Sequence, residues 1–169
     1  MRSGLSVDES TTEAGLEAVA LCYEYAYLEG RHALGSRLPP KETVRLGNLR
    51  ALLHNPDEDL RKHRRIPTSV PVEIRHASGQ AIGRSLNLCG GGMLVGFSGP
   101  APALPTDALV NVTLGEPGAT TFTFPCRVVW RRGEQIGLKY SGVPLQIRYA
   151  SYPVTRERPP ALRTLPSDS

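Results

Sequence analysis

The sequence predicts a mainly β fold, a six-stranded antiparallel β-barrel carrying an N-terminal helical extension, and three observations lead there. Apolar residues alternate with period two from Val70 onward, the alternating runs are separated by glycine- and proline-rich turns, and the residues before them repeat their apolar positions every three or four instead. With 169 residues the chain has room for one domain of ordinary size and an appendage. Its 15 prolines and 17 glycines place much of it in turns, as a small barrel requires.

In the helical part, "ESTTEAGLEAVALCYEYAYLEG" sets Leu16, Val19, Tyr23 and Tyr27 on one stripe, with Gly30 where a helix would end. After the "LPP" break, Val44, Leu46, Leu49 and Leu53 predict a second amphipathic helix. Both faces are too small to fold alone and must pack on the following domain or on another copy of the chain. "NPDEDLRKHRR" reads as a third helical turn: Asn55 as N-cap, Pro56 at the first position, acidic residues in the first turn and cations at the end.

The strands are expected at 70–76, 81–89, 92–97, 108–114, 120–131 and 135–140. In the second, Ile82, Leu86 and Leu88 would form the core face, which sends Asn87 and Cys89 together to the other face, just ahead of three glycines. Arg84 falls out of phase. Free backbone amides at such a turn, beside a carboxamide, form a cup for a planar polar ligand with phosphates, although a tight hairpin also calls for Asn and Gly. "PLQIRYASY" suggests a last helical turn, and the Pro-rich "PVTRERPPALRTLPSDS" a tail that cannot bury enough surface to fold. The expected organisation is therefore a helical extension over 1–58, a barrel domain over 59–152 and a flexible tail over 153–169.

Charge narrows the function. Residues 1–60 carry six Lys/Arg against ten Asp/Glu, whereas residues 61–152 carry eleven against four, so the basic character belongs to the barrel and an anionic ligand is expected there. With neither a signal peptide nor a membrane span, a cytoplasmic protein is expected. Cys22, Cys89 and Cys126 are far apart and form no CxxC pair, and His32, His54, His63 and His76 are equally scattered. Neither a disulfide framework nor a metal site is expected, and no cofactor. Cys89 beside glycines lacks a supporting base in the sequence, so an enzyme is not expected either. Single-stranded nucleic acid could stack on Trp130 and Tyr140 beside Arg131 and Arg132, but both aromatics share the strand phase read as core, which disfavours that partner.

A more specific pattern lies in an ordered set of motifs. Arg61 and Arg65 form RxxxR, Ile66 and Pro67 follow, and Asn87, Cys89 and Gly92 stand where a [D/N]xSxxG motif would, with "GMLV" and "CRVVWRRGEQIGLKY" downstream. The set resembles the PilZ domain, the bacterial receptor module for cyclic di-GMP, over roughly residues 60 to 145. The resemblance implies a PilZ-like barrel whose ligand-binding residues are Arg61, Arg65, Asn87, Cys89 and Gly92. Arginine forks match a phosphate or the O6/N7 edge of guanine in bidentate fashion, and the Asn87 amide oxygen accepts from the other edge. It also implies that the arginine segment closes over the dinucleotide; the expected effector then passes that movement to a protein partner, or a second copy, through the N-terminal helices. Cys89 departs from the pattern, since a thiol is a poorer hydrogen-bonding group than the usual serine hydroxyl. A PilZ-type adaptor with weak or lost nucleotide binding is the alternative.

Overall fold

The computed structural model of the protein describes residues 9–54 and 62–148. Two helices, α1 (Glu9–Ala33) and α2 (Pro40–Leu53), precede eight strands: β1 (Ile66–Pro67), β2 (Pro71–His76), β3 (Gly79–Leu88), β4 (Gly92–Gly96), β5 (Leu109–Leu114), β6 (Thr121–Arg132), β7 (Gln135–Tyr140) and β8 (Leu145–Ile147). Six of them close an antiparallel barrel in the order β3-β2-β5-β6-β7-β4, with β4 returning to β3. β1 pairs with β3 and β8 with the first part of β6.

α1 runs past Gly30 to Ala33 and is closed by a turn at Gly35. Gly35 has φ 83°, and the amides of Gly35 and Ser36 return to the carbonyls of His32 and Arg31, at 3.0 Å each, a C-terminal cap that favours glycine. Gly30 has a packing role instead, because a Cβ there would come within 3.1 Å of the Val143 side chain. α2 begins at a proline and buries Leu46, Leu49 and Leu53; Val44 is exposed. Arg45–Glu24 (2.7 Å) and Arg50–Glu29 (2.8 Å) tie α2 to α1. Of the helical turn expected over 55–65, residues 55–61 lie outside the described residues and 62–65 are not helical. The expected last helical turn at "PLQIR" is the strand β8, paired with Thr121–Thr123.

The α1 stripe packs on the barrel. Val19 and Cys22 are fully buried, Tyr23 lies against Phe122 and Phe124 of β6 at 5.0 and 6.4 Å, and Tyr27 stacks on Tyr23. Barrel and helices share one contiguous core, filled by residues such as Ile74, Val95, Phe124 and Ile136.

The expected inward phase of β3 holds only at Leu88. Ile82 and Leu86 are exposed, and the buried residue is Ser85. Pairing with β4 skips one position between Ser85 and Asn87, so a bulge at Leu86 changes which face each residue takes. Ser85 can be buried because its hydroxyl accepts from the Val70 amide (2.9 Å) and from the Thr68 hydroxyl (2.8 Å). Arg84 thereby falls on the outer face, where it holds Ser69 through its hydroxyl (3.0 Å) and its carbonyl (2.8 Å).

Candidate functional site

Four of the five residues singled out in the sequence converge on the outer face of the barrel. Arg65, Asn87, Cys89 and Gly92 line one cleft of ≈230 Å³ together with Gly91, Leu94, Val129, Trp130 and Gly137. Arg61, the fifth, lies outside the described residues.

Strand register explains the convergence. A single cross-strand row runs Asn87 to Leu94, Leu94 to Gly137 and Gly137 to Trp130 across β3, β4, β7 and β6. The row is apolar in the middle and has a carboxamide at one end and an indole at the other. The neighbouring row places Gly92 beside Lys139 and Lys139 beside Arg127, while the row on the other side sets Gln135 beside Arg132. Cations thus flank the floor on both sides, which suits an anion whose planar parts rest on apolar surface.

Trp130 reaches this face through a second bulge. Pairing of β6 with β7 skips one position between Val128 and Trp130, so the indole, expected inside by simple alternation, is turned outward and lies over Gly137. Any side chain at 137 would collide with the ring. A glycine inside an otherwise apolar strand is the signal in the sequence that could have revealed this, because it marks a close approach by another group. Tyr140 keeps its inward place, stacked on Phe124 at 4.7 Å, with its hydroxyl buried and no hydrogen-bond partner among the described residues. Burial, with thiols nearby, raises its pKa well above the ordinary value.

Arg65 enters from the other side. β1 pairs Ile66 with Leu88 and Pro67 with Asn87, so the residue before β1 comes level with Cys89. The residue is exposed and makes no hydrogen bond or ion pair among the described residues, and its five N–H donors suit a phosphate or a guanine edge. The Cys89 amide donates to the Gly92 carbonyl at 2.9 Å, and its sulfur accepts from the Gly91 amide at 3.4 Å. Gly92 serves the fold as well as the cleft: a Cβ there would strike the Leu138 carbonyl of the adjacent strand.

The other two thiols are buried, whereas Cys89 is half-buried at the cleft. Burial pushes the Cys22 thiol up to about 12, with Cys89 nearby adding to the effect, and burial raises Cys126 further. Neither is available as a nucleophile at neutral pH. Among the described residues no group of three or more His, Cys, Asp or Glu is placed to hold a metal ion. None of the described helices is long and apolar enough to cross a membrane.

Comparison with curated proteins found no match. Among solved structures the chain is similar to the crystal structure of the PilZ domain of CeSA from a cellulose-synthesizing bacterium, at 26% identity over 46% of this chain and 80% of that chain, with a TM-score of 0.40. The family model for the PilZ domain matches residues 59–149, more than half of the 169, from just ahead of the arginine segment to just past β8. This chain belongs to the PilZ domain family, a family of cyclic di-GMP receptors.

Proposed function

We propose that the protein is a cyclic di-GMP effector of the cytoplasm that binds the dinucleotide at the cleft between Arg65 and the Asn87–Trp130 row. The observation that carries this reading is the convergence of an arginine without a described partner, a carboxamide and an outward indole on one apolar floor between cationic rows. In this reading Arg65, with Arg61, supplies charge-assisted contacts to phosphate or guanine. Asn87 accepts from the guanine N–H edge, and Trp130 offers a stacking surface. Gly92 lets the backbone approach. The chain works as a binding module, with no reaction of its own.

Binding closes the arginine segment over the ligand, and the movement passes to α1 and α2, which present a face to a partner. Since the α1 stripe is occupied by the barrel, the partner would meet other surface of the helical extension, on which Leu34, Val44 and Leu52 are exposed. One observation favours the alternative of an adaptor with weak or lost nucleotide binding. The residue at the serine position is a thiol, and its sulfur already accepts from its own turn.

Calorimetric titration of the full chain with cyclic di-GMP, with GTP as control, separates the two. Saturable heat with cyclic di-GMP alone supports the effector. Absence of heat with folded protein at high ligand concentration leaves the adaptor.

A further inference from the structure

The basic segment "RKHRR" is more than a row of charges, because His63 in its middle is packed between two elements. Its imidazole meets Tyr25 of α1 edge-on, at 5.6 Å between ring centroids and 67° between planes. It also packs on the two glycines of the β3–β4 turn: a Cβ on Gly90 would lie 2.8 Å from its Nδ1 and 2.9 Å from the Tyr25 ring, and one on Gly91 3.2 Å from the His63 Cδ2. The flanking backbone is tied to the end of α2, through the Arg64 amide to the Leu53 carbonyl (2.8 Å) and a bridge between His54 and His63.

That turn is also one wall of the cleft. Gly91 and Gly92 line it, and the Gly91 amide holds the Cys89 sulfur. Arg65, the other wall, follows His63 by two residues and directly precedes the two-residue strand β1. One side chain therefore touches α1 and the glycine turn while sitting next to the arginine that overhangs the cleft.

We infer that His63 is a positioning residue for the cleft, a wedge between α1 and the Gly90–Gly91 turn that holds that turn and Arg65 in binding geometry. The inference rests on the cyclic di-GMP reading for its effect on ligand. Seating the wedge removes in advance part of the ordering cost that Arg65 would otherwise incur on binding. By linkage, bound ligand strengthens the docking of α1 to the same degree.

The wedge works with a neutral ring. The groups that face it are Tyr25 and Glu29 from α1, Arg50 from α2, His54 at the end of α2 and Lys62 beside it. Burial, then Lys62, and then His54 hold its pKa below the ordinary histidine value, against an opposing pull from Glu29. A lowered folded-state pKa means that the unfolded or unseated ring takes up the proton more readily. The seat is therefore fully effective above the ordinary histidine pKa and weakens as pH falls through it toward the folded value.

The test uses the full chain, with His63→Ala, His63→Phe and Gly90→Ala, each checked for an intact thermal transition. His63→Ala is expected to weaken cyclic di-GMP about ten-fold with Arg65 and Asn87 unaltered, and Gly90→Ala, which displaces the His63 and Tyr25 rings together, at least as much. His63→Phe keeps the ring volume and should retain affinity within about three-fold. Between about pH 7.5 and about pH 5.5 wild-type affinity should fall, while the phenylalanine variant should stay flat. Hydrogen exchange at residues 88–92 of unliganded protein should be faster in His63→Ala than in wild type.

If wild type binds and His63→Ala binds equally well with unchanged exchange, the wedge is refuted and the receptor reading stands. If wild type does not bind at all, the receptor reading fails. The exchange experiment alone then decides whether His63 holds the turn.

Discussion

The two halves of the cleft are held in different ways. Its floor is a row of four residues on four strands of a closed barrel, each fixed by ladder pairing on both sides or by the core beneath it. Among the described residues, the arginine segment that borders it is fixed by a two-residue strand, one backbone hydrogen bond to α2, one isolated bridge and the ring of His63. Ladder pairing ties the floor to the barrel, so its opening is expected to cost as much as unfolding the barrel, and that of the overhang less. In the proposed receptor reading this division is useful, because the firmly paired half supplies the shape of the site and the lightly held half supplies an arginine that responds to ligand.

The comparison breaks most severely at the floor. Gly92→Ala drives a methyl group into the Leu138 carbonyl of the neighbouring strand, where neither backbone can yield. We expect a loss of about 3 kcal/mol in denaturant unfolding, with binding lost as a consequence of the damaged barrel. Wild-type stability in this variant would mean that the floor is not rigid.

On the overhang the effect should be opposite in kind. Arg65→Ala, or Arg61→Ala, is expected to reduce cyclic di-GMP affinity at least ten-fold, through loss of a charge-assisted contact worth about 1.5 to 3 kcal/mol. The unfolding midpoint should not move, because Arg65 has no partner among the described residues to lose. A shift in midpoint without a shift in affinity would reverse the assignment of the two halves.

Two smaller changes sharpen the picture. Cys89→Ser supplies a hydroxyl beside Asn87 at nearly the same volume, and one recovered hydrogen bond should tighten binding by roughly three- to ten-fold in paired titrations. Equal affinities would remove residue 89 from the ligand's contacts. Tyr140→Phe deletes a buried hydroxyl that has no partner among the described residues, beneath the floor. The barrel should then gain up to about 1 kcal/mol in the same unfolding experiment, with binding unaffected. Destabilisation would show that the hydroxyl is bonded after all.

Much of this architecture was legible because period-two alternation is a direct consequence of strand geometry. Val72 and Ile74, Val110 and Val112, and Phe122, Phe124 and Cys126 all point inward as their spacing requires. What the alternation does not carry is a bulge. Counting by twos through Leu86 assigned Ile82 to the core, and counting through Val129 did the same for Trp130, although both side chains belong to the outer face. Each bulge lies next to the cleft, so the site was read incompletely for the same reason in two places. Arg65, Asn87, Cys89 and Gly92 were found by motif order. Leu94, Gly137 and Trp130 were not, because their convergence depends on register between strands distant in sequence. The helix end was misplaced at Gly30 for a simpler reason: a glycine that makes room for Val143 looks, in sequence, like one that ends a helix.

Trp130 is the chain's single tryptophan and stands at one end of the floor, so its fluorescence reports directly on that half of the cleft. Titrating the full chain with cyclic di-GMP while exciting the indole should give a saturable change in emission whose midpoint matches the calorimetric one. The change should be absent with GTP and shifted to at least ten-fold higher ligand concentration in Arg65→Ala. Calorimetric binding with unaltered indole emission would contradict the account, because the dinucleotide would then lie away from the row that runs from Asn87 to Trp130.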